Sequence, residues 1–359
     1  MKFKHISVSN CRFLLPEFFD MRVLRVFDEY LEELDNYNAH KGIVSKLIQK
    51  NQLTQGKKLW KRILIYDIEV CFDMDFQNKV SQCRIQDYYA FPENSRTGFD
   101  RKVNAMFSLI NANGTRWTFK IPLQYLLKGW GDANDGYQCY THCIKLSKIN
   151  DMFDGAATSD SSLIEKCYSG ITKRNWLKRL EEHLREVRQG DNKLFHRAWR
   201  EATDGKDVIY HSYLQWVNLS YEESMEWEER YVYIYTLFPK GLNMIPGGFE
   251  GNRHLYKHRI TDRVDIDLDE RERAIAEYVR QHPRKGIPNP FMSDWWKDYE
   301  HYVKAIGSRV GVLTFDQVRR IRELNKSGYS VAEITKIVGA RNENQVKNVL
   351  ANRTFKRVT

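Results

Sequence analysis

The chain has 359 residues, long enough for two or three domains with ordinary cores, and its 57 Lys and Arg outnumber 47 Asp and Glu, so a polyanion is the natural partner. No apolar run reaches the ~18 residues of a membrane span, and the N-terminus MKFKHISVSNCRFLL lacks a signal peptide's apolar core. Six cysteines, unpaired in spacing except for Cys139-x-x-x-Cys143, read as reduced thiols, and the expected compartment is the cytoplasm.

Residues 1–135 read as an α+β region. Helical periodicity runs from Asp20 to Leu34 and from Ala39 to Asn51, and strand alternation over 63–74 and 115–121. Asn113-Gly114 marks a hairpin turn between Met106–Ile110 and Arg116–Phe119. Tyr88, Tyr89, Phe91 and Trp117 have the spacing of core residues more than of a binding surface. The turn-rich run Gly129 to Gly136 places a domain boundary near 135.

Tyr140 to Lys145 then alternates as a strand, and 147–163 reads as an exposed loop. Cys167-Tyr168-Ser169-Gly170-Ile171 looks like a strand end, with Thr172 placed as a helix N-cap. Trp176, Leu177, Leu180, Leu184 and Val187 recur at three- and four-residue steps, so a helix follows, and Arg179 and His183 project from one face of it. Gly190-Asp191-Asn192 ends that helix, and a basic helical run from Leu194 to Ala202 begins. After a third strand over 208–217, Ser220 and Glu223 form a capping box for a helix to about Phe238, carrying Glu228. The turn Gly241-Leu242-Asn243 closes the module.

The order strand, Tyr168-Ser169-Gly170, helix, Arg179-x-x-x-His183, then Glu228 and Asn243, resembles the GIY-YIG nuclease family over roughly residues 138–250. The resemblance implies a small three-stranded sheet flanked by helices. It implies that Glu228, rather than its neighbour Glu229, binds Mg²⁺ or Mn²⁺, that Arg179 grips the scissile phosphate, and that Tyr168 orients or deprotonates the attacking water with His183 or a first-strand residue. It gives Asn243 a supporting role. Gly-Ile-Tyr, the family's first motif, is absent as written, and either Tyr140 or His142 occupies the position of its tyrosine. Ser169 replaces the central isoleucine of the second motif.

Residues 251–312 read as a connector with helices at 268–282 and 293–306, joined by a stiff Lys285–Pro290 segment. Trp295, Trp296, Tyr299 and Tyr302 read as packing residues. Thr314/Gln317 and Ser330/Glu333 are two further capping boxes, and a third helix runs from Asn342 to Leu350, the pattern of a helix-turn-helix. Residues 313–359 carry ten Lys and Arg against four Asp and Glu. Asn342, Asn344, Gln345 and Lys347 are placed to reach base edges, and Arg353, Lys356 and Arg357 to meet phosphates.

The expected architecture is therefore α+β: an N-terminal region 1–135, a GIY-YIG-like domain 136–250, a connector 251–312 and a helix-turn-helix 313–359. The expected function is that of a metal-dependent endonuclease acting on double-stranded DNA, similar to homing or restriction-type enzymes. The competing expectation is a DNA-binding regulator on a degenerate nuclease scaffold. No Gly-x-x-x-x-Gly-Lys-Ser/Thr run is present, which argues against a nucleotide-phosphate loop.

Overall fold

Strands drawn from both sides of residue 135 join one seven-stranded sheet, in the order β2-β1-β3-β4-β7-β5-β6. In this computed structural model the described residues are 2–15, 21–36, 41–54, 66–74, 80–87, 102–110, 116–146, 164–203, 209–282, 287–290, 311–356 and 358. Residues 1–149 with 161–287 form one compact unit, and 288–359 belong to a second. The expected turn at 113–114, Tyr88, Tyr89, Phe91, the loop 147–163, the helix 293–306 with its four aromatics, and Arg357 lie outside the described residues.

The first unit opens with helices α1 (Val8–Leu14), α2 (Met21–Asn36) and α3 (Ile43–Thr54). Strands β1 (Tyr66–Met74), β2 (Val80–Asp87), β3 (Lys102–Ile110) and β4 (Arg116–Pro122) follow. β3 and β4 pair antiparallel, with Phe107 opposite Phe119. Trp117 packs against Phe119, Trp199 and Tyr210, a core role.

Strands β5 (Tyr137–Leu146), β6 (Ile164–Thr172) and β7 (Ile209–Leu219) continue the sheet, with β5 antiparallel to both of its neighbours. The expected sheet stops at three strands; here β7 also pairs in parallel with β4, from Arg116↔Ile209 to Lys120↔Tyr213. The boundary expected near 135 therefore falls inside a unit, because backbone pairing crosses it. Local turn composition cannot register such long-range pairing.

β5 is buried on both faces, and its period of two sorts its side chains between two layers. Cys139 belongs to a core with Ile171, Trp216, Met225 and Trp227, reached by helix α6 (Tyr221–Tyr231). Tyr140 and His142 face the other way, His142 toward Trp176 and Phe195 of helices α4 (Trp176–Arg188) and α5 (Leu194–Thr203). The expected N-cap Thr172 is instead the last residue of β6; Asn175 caps α4, its side chain accepting from the Leu177 and Lys178 amides. Both residue types cap helices, so three residues of register decide the matter. Trp176 ties α4 to the N-terminal segment through an indole N–H donated to the Leu14 carbonyl at 2.9 Å.

Cys143 and Cys167 stand opposite each other in the β5–β6 register and are joined by a disulfide, against the expectation of reduced thiols. Cys11 and Cys139 are buried thiols. α6 opens with the expected Ser220/Glu223 capping box but ends at Tyr231, passing into a π-helical turn over Val232–Thr236. The first unit closes with α7 (Gly248–Lys257), which was not expected, and α8 (Leu268–Gln281), the first helix of the expected connector, which therefore belongs to this unit.

The second unit contains α9 (Phe315–Lys326), α10 (Val331–Val338) and α11 (Glu343–Leu350) around Val318, Ile321, Ile334, Val346 and Val349. Both capping boxes expected there form, and Gly339 takes the left-handed conformation that ends α10. No helix among the described residues is long and apolar enough to cross a membrane.

Candidate functional site

A cleft in the first unit is lined by Tyr168, Arg179, His183, Glu228 and Asn243, with one wall supplied by α8. Five of the expected site residues thus meet from β6, α4, α6 and the turn that follows α6. Tyr140 and His142 lie in the layer beneath.

Tyr140 is opposite Gly170 in the β5–β6 ladder, and its hydroxyl faces the Arg179 guanidinium. His142, fully enclosed, has its Nδ1 3.0 Å from Ser212 Oγ, and burial pulls its pKa down to about 3. Of the two first-strand residues, Tyr140 is therefore the one placed against Arg179. Ser169 is buried, and its hydroxyl meets that of Thr141 across the strands at 2.9 Å, so the polar replacement for isoleucine is satisfied.

Tyr168 is packed between His183, edge-on at 5.2 Å between ring centroids, and Phe195, stacked at 4.8 Å. Burial is the main force holding its phenol protonated well above the usual tyrosine range; Arg179 opposes this, while Glu272 and Glu228 reinforce it. Burial works against the Arg179 charge, but Tyr140, Glu272 and Tyr168 nearby and the bond to Glu182 outweigh it. That guanidinium bonds Glu182 at 2.8 Å and Glu272 at 2.6 Å.

Two side chains, Asp191 and His196, set the tautomer of His183. His196 Nδ1 lies 2.9 Å from Asp191 Oδ1, so it carries the proton and donates to the carboxylate. With His196 neutral, its Nε2 accepts, and His183 Nδ1–H donates to it at 2.9 Å. The remaining nitrogen of His183, Nε2, is left as a bare acceptor, buried and with no hydrogen-bond partner. Burial, then Arg179 and the other two histidines, hold this imidazole neutral far below the ordinary histidine range. Asn243 pins the backbone beside Tyr168: its Oδ1 accepts from the Ser169 amide at 2.9 Å and its Nδ2 donates to the Ser169 carbonyl at 2.8 Å.

Glu228 is almost wholly enclosed. Arg271 Nη2 lies 3.0 and 2.8 Å from its two oxygens, and the Gly248 amide donates to Oε2 at 2.8 Å. That last bond needs Gly248, whose φ of +57° and contact with the Met225 carbonyl leave no room for a side chain. Mg²⁺ needs open carboxylate oxygens and retained waters. Here a guanidinium occupies that position, so the donor set as arranged does not fit a divalent ion. Neighbouring Glu229 points elsewhere, accepting from the Glu250 amide at 2.9 Å. His183, Glu186 and His196 bring ligand atoms within 4.8 Å of one another, but the histidine pair is hydrogen-bonded and Lys193 holds Glu186.

Sequence reasoning missed Arg271, Glu272, Asp191 and His196. Arg271 and Glu272 sit in the run DLDERERA, where every charge reads as a solvated helix face. Asp191 is visible only as part of a helix break.

In the second unit, the Asn342 side chain caps α11 by accepting from the Gln345 amide at 3.1 Å. Gln345 in turn accepts from the Arg341 amide and donates to the Gly311 carbonyl, both within 2.9 Å. These two residues serve the fold. Asn344, Lys347, Arg353 and Lys356 are exposed, with Lys347 3.1 Å from Glu343.

Comparison of the chain with family models, curated proteins and solved structures returned no match, so the geometry of the cleft carries the functional reading.

Proposed function

We propose that the cleft hydrolyses phosphodiester bonds of double-stranded DNA in the manner of a GIY-YIG endonuclease, with the helix-turn-helix holding the duplex. One observation carries this reading: the residues that the resemblance picks out, Tyr168, Arg179, His183, Glu228 and Asn243, line a single cleft. This reading assigns the family arrangement to strands β7, β5 and β6 with helices α4, α5 and α6.

In this reading Arg179 places its planar fork on the non-bridging phosphate oxygens. His183 Nε2, a buried bare acceptor, orients the attacking water or the Tyr168 hydroxyl by accepting a hydrogen bond, and the proton of the water leaves to solvent. Tyr168 acts as a neutral phenol that orients the water. Tyr140 steadies Arg179, and Asn243 holds the strand that carries Tyr168. Glu228, the residue that the resemblance assigns to Mg²⁺ or Mn²⁺, would hold an ion only with Arg271 displaced, so no step is routed through a metal.

The test is incubation of the full chain with supercoiled plasmid, in Mg²⁺ or in EDTA, beside Arg179→Ala and Glu228→Ala. Metal-dependent nicking that both variants lose is the expected result. Cutting at full rate by Arg179→Ala overturns the assignment.

A second reading, a DNA-binding regulator on this scaffold, is favoured by the pairing of Glu228 with Arg271 and of Arg179 with Glu272. It predicts salt-sensitive binding without turnover.

A further inference from the structure

Strand β6 lies at an edge of the sheet, and its residues Lys166, Cys167 and Ser169 all bond the segment that follows the π-helical turn. Lys166 Nζ donates to the Pro239 and Lys240 carbonyls at 2.9 and 3.1 Å. The Cys167 carbonyl accepts from the Leu242 amide at 2.8 Å, and the main chain of Ser169 pairs with the Asn243 side chain. β6 and residues 239–243 are therefore one piece, and Tyr168, Leu242 and Asn243 of that piece line the cleft.

On its other side β6 meets β5. The main-chain groups of an antiparallel strand point alternately to one neighbour and to the other. Those of Cys167 and Ser169 turn outward, to Leu242 and Asn243, so at the pairs Cys143↔Cys167 and Thr141↔Ser169 the two strands are joined by side chains alone. One joint is the contact between the Thr141 and Ser169 hydroxyls at 2.9 Å, and the other is the disulfide. We infer that Cys143–Cys167 is a redox-sensitive clasp, through which a thiol reductant loosens the cleft wall that carries Tyr168 and Asn243. The clasp stands whatever chemistry the cleft performs.

Its two cysteines are not equally accessible. Cys143 is only 1% exposed, while Cys167 is partly exposed. Attack by a glutathione thiolate therefore falls on Cys167 Sγ; the S–S bond breaks, and Cys143 leaves as a thiolate that takes up a proton. A second glutathione resolves the mixed disulfide, so a pair of glutathione thiols is oxidised to glutathione disulfide while both protein thiols form. The other described thiols stay out of the exchange: burial pushes the Cys11 thiol up to about 12, and Cys139 is enclosed in the core reached by α6. Hydrogen bonds at the alternate pairs, His142↔Tyr168 among them, remain after reduction. β6 thus stays on the sheet, and the loosening is local.

The experiment equilibrates the full chain in glutathione buffers from oxidised to reduced, quenches it in acid, and maps the free thiols by alkylation and mass spectrometry. Cys143 and Cys167 should be free together in the reduced buffer and joined to each other in the oxidised one. A bond that persists in excess glutathione, or that fails to form in glutathione disulfide, overturns the clasp. Hydrogen exchange on the same samples reads the cleft wall. The Ser169 and Leu242 amides should exchange at least about tenfold faster in the reduced chain, with the amides of β3 and β4 unchanged. Equal exchange of Ser169 and Leu242 in the two states overturns the coupling to the wall even where the bond forms. Cys143→Ser/Cys167→Ser should show the fast exchange in every buffer, and exchange that still follows the buffer in this variant assigns the effect to another cysteine and overturns the proposal. If the double variant does not fold, the wild-type exchange in the two buffers still decides. Plasmid nicking in the same buffers keeps the two readings apart: bond and exchange changes without nicking in any buffer keep the clasp and remove the nuclease.

Discussion

Tyr140 and Gly170 face each other across the β5–β6 ladder, so closely that a methyl group on Gly170 would come within 2.8 Å of the tyrosine hydroxyl and 3.1 Å of Cζ. The glycine of the Tyr-x-Gly signature makes room for the first-strand tyrosine that faces Arg179. Gly170→Ala should therefore cost about 1–3 kcal/mol of stability by overpacking. Tyr140→Phe in the same background should recover part of it, because the hydroxyl contact goes while the Cζ contact stays. Urea unfolding of the four proteins of that cycle measures the coupling, and additive losses would show that the ring does not lie over the glycine.

Much of the cleft was legible because its residues sit at short, regular spacings. Arg179 and His183 share a helix face by period alone, and Ser220 with Glu223 announces the helix that carries Glu228. Contacts between distant segments were not legible. Cys143 becomes opposite Cys167 only when the β5–β6 register is known, and β7 reaches β4 by a parallel pairing with no local signal. Asp191 acts on His183 only through His196, across a helix break. Arg271 is one of several arginines and acids on α8, and nothing in their order singles out the one that turns inward.

Glu228 and Arg271 form the most enclosed ion pair of the cleft. Glu228→Gln leaves a buried guanidinium without its carboxylate and should lower stability by about 3–5 kcal/mol. Glu228→Gln/Arg271→Met should regain much of that, since neither charge is then stranded. Thermal unfolding of the two proteins decides: a double variant no better than the single one would mean that the pair is not coupled.

His142 and His183 are both held neutral by burial, His142 with a pKa pulled from 6.5 to about 3. Below pH 6.5 the unfolded chain takes up protons at these sites and the folded chain does not, so stability is intact above 6.5 and falls as pH drops. Between pH 7.5 and 5.5 each histidine should remove about 1.4 kcal/mol. His142→Asn should lose about half of the combined slope. Urea midpoints at the two pH values test this, and an unchanged slope in the variant would count against the neutral buried histidine.

Asp191 behaves in the opposite sense. Burial raises its pKa, but the hydrogen bond from His196 and the Lys193 amide and charge prevail, bringing the carboxyl from 3.8 to about 2. The stability it contributes is present above pH 3.8 and is lost as pH falls through about 2. Asp191→Asn should be weaker than the wild type by about 2 kcal/mol at pH 6, with the gap closing by pH 2. In the nuclease reading the same change frees the tautomers of His196 and His183, so the pH profile of nicking should shift as well as its rate. A lower rate with an unmoved profile would reduce Asp191 to a structural role.

On the reading that the second unit is a DNA-binding helix-turn-helix, Gln345 and Asn344 are neighbours with opposite expectations. Gln345 spends its amide on the Arg341 N–H and the Gly311 carbonyl, so Gln345→Ala should lower the melting temperature and leave DNA sequence preference unchanged. Asn344 is exposed at the start of α11, and Asn344→Ala should leave stability within about 0.5 kcal/mol while changing preference at one base position. Lys356→Ala removes an exposed cation beyond α11; it should weaken binding evenly across sequences and reduce the salt slope by about one. Anisotropy titrations with a duplex library at two salt concentrations read all three variants at once. A preference change in Gln345→Ala without loss of stability would mean that its contacts to Arg341 and Gly311 give way to the DNA.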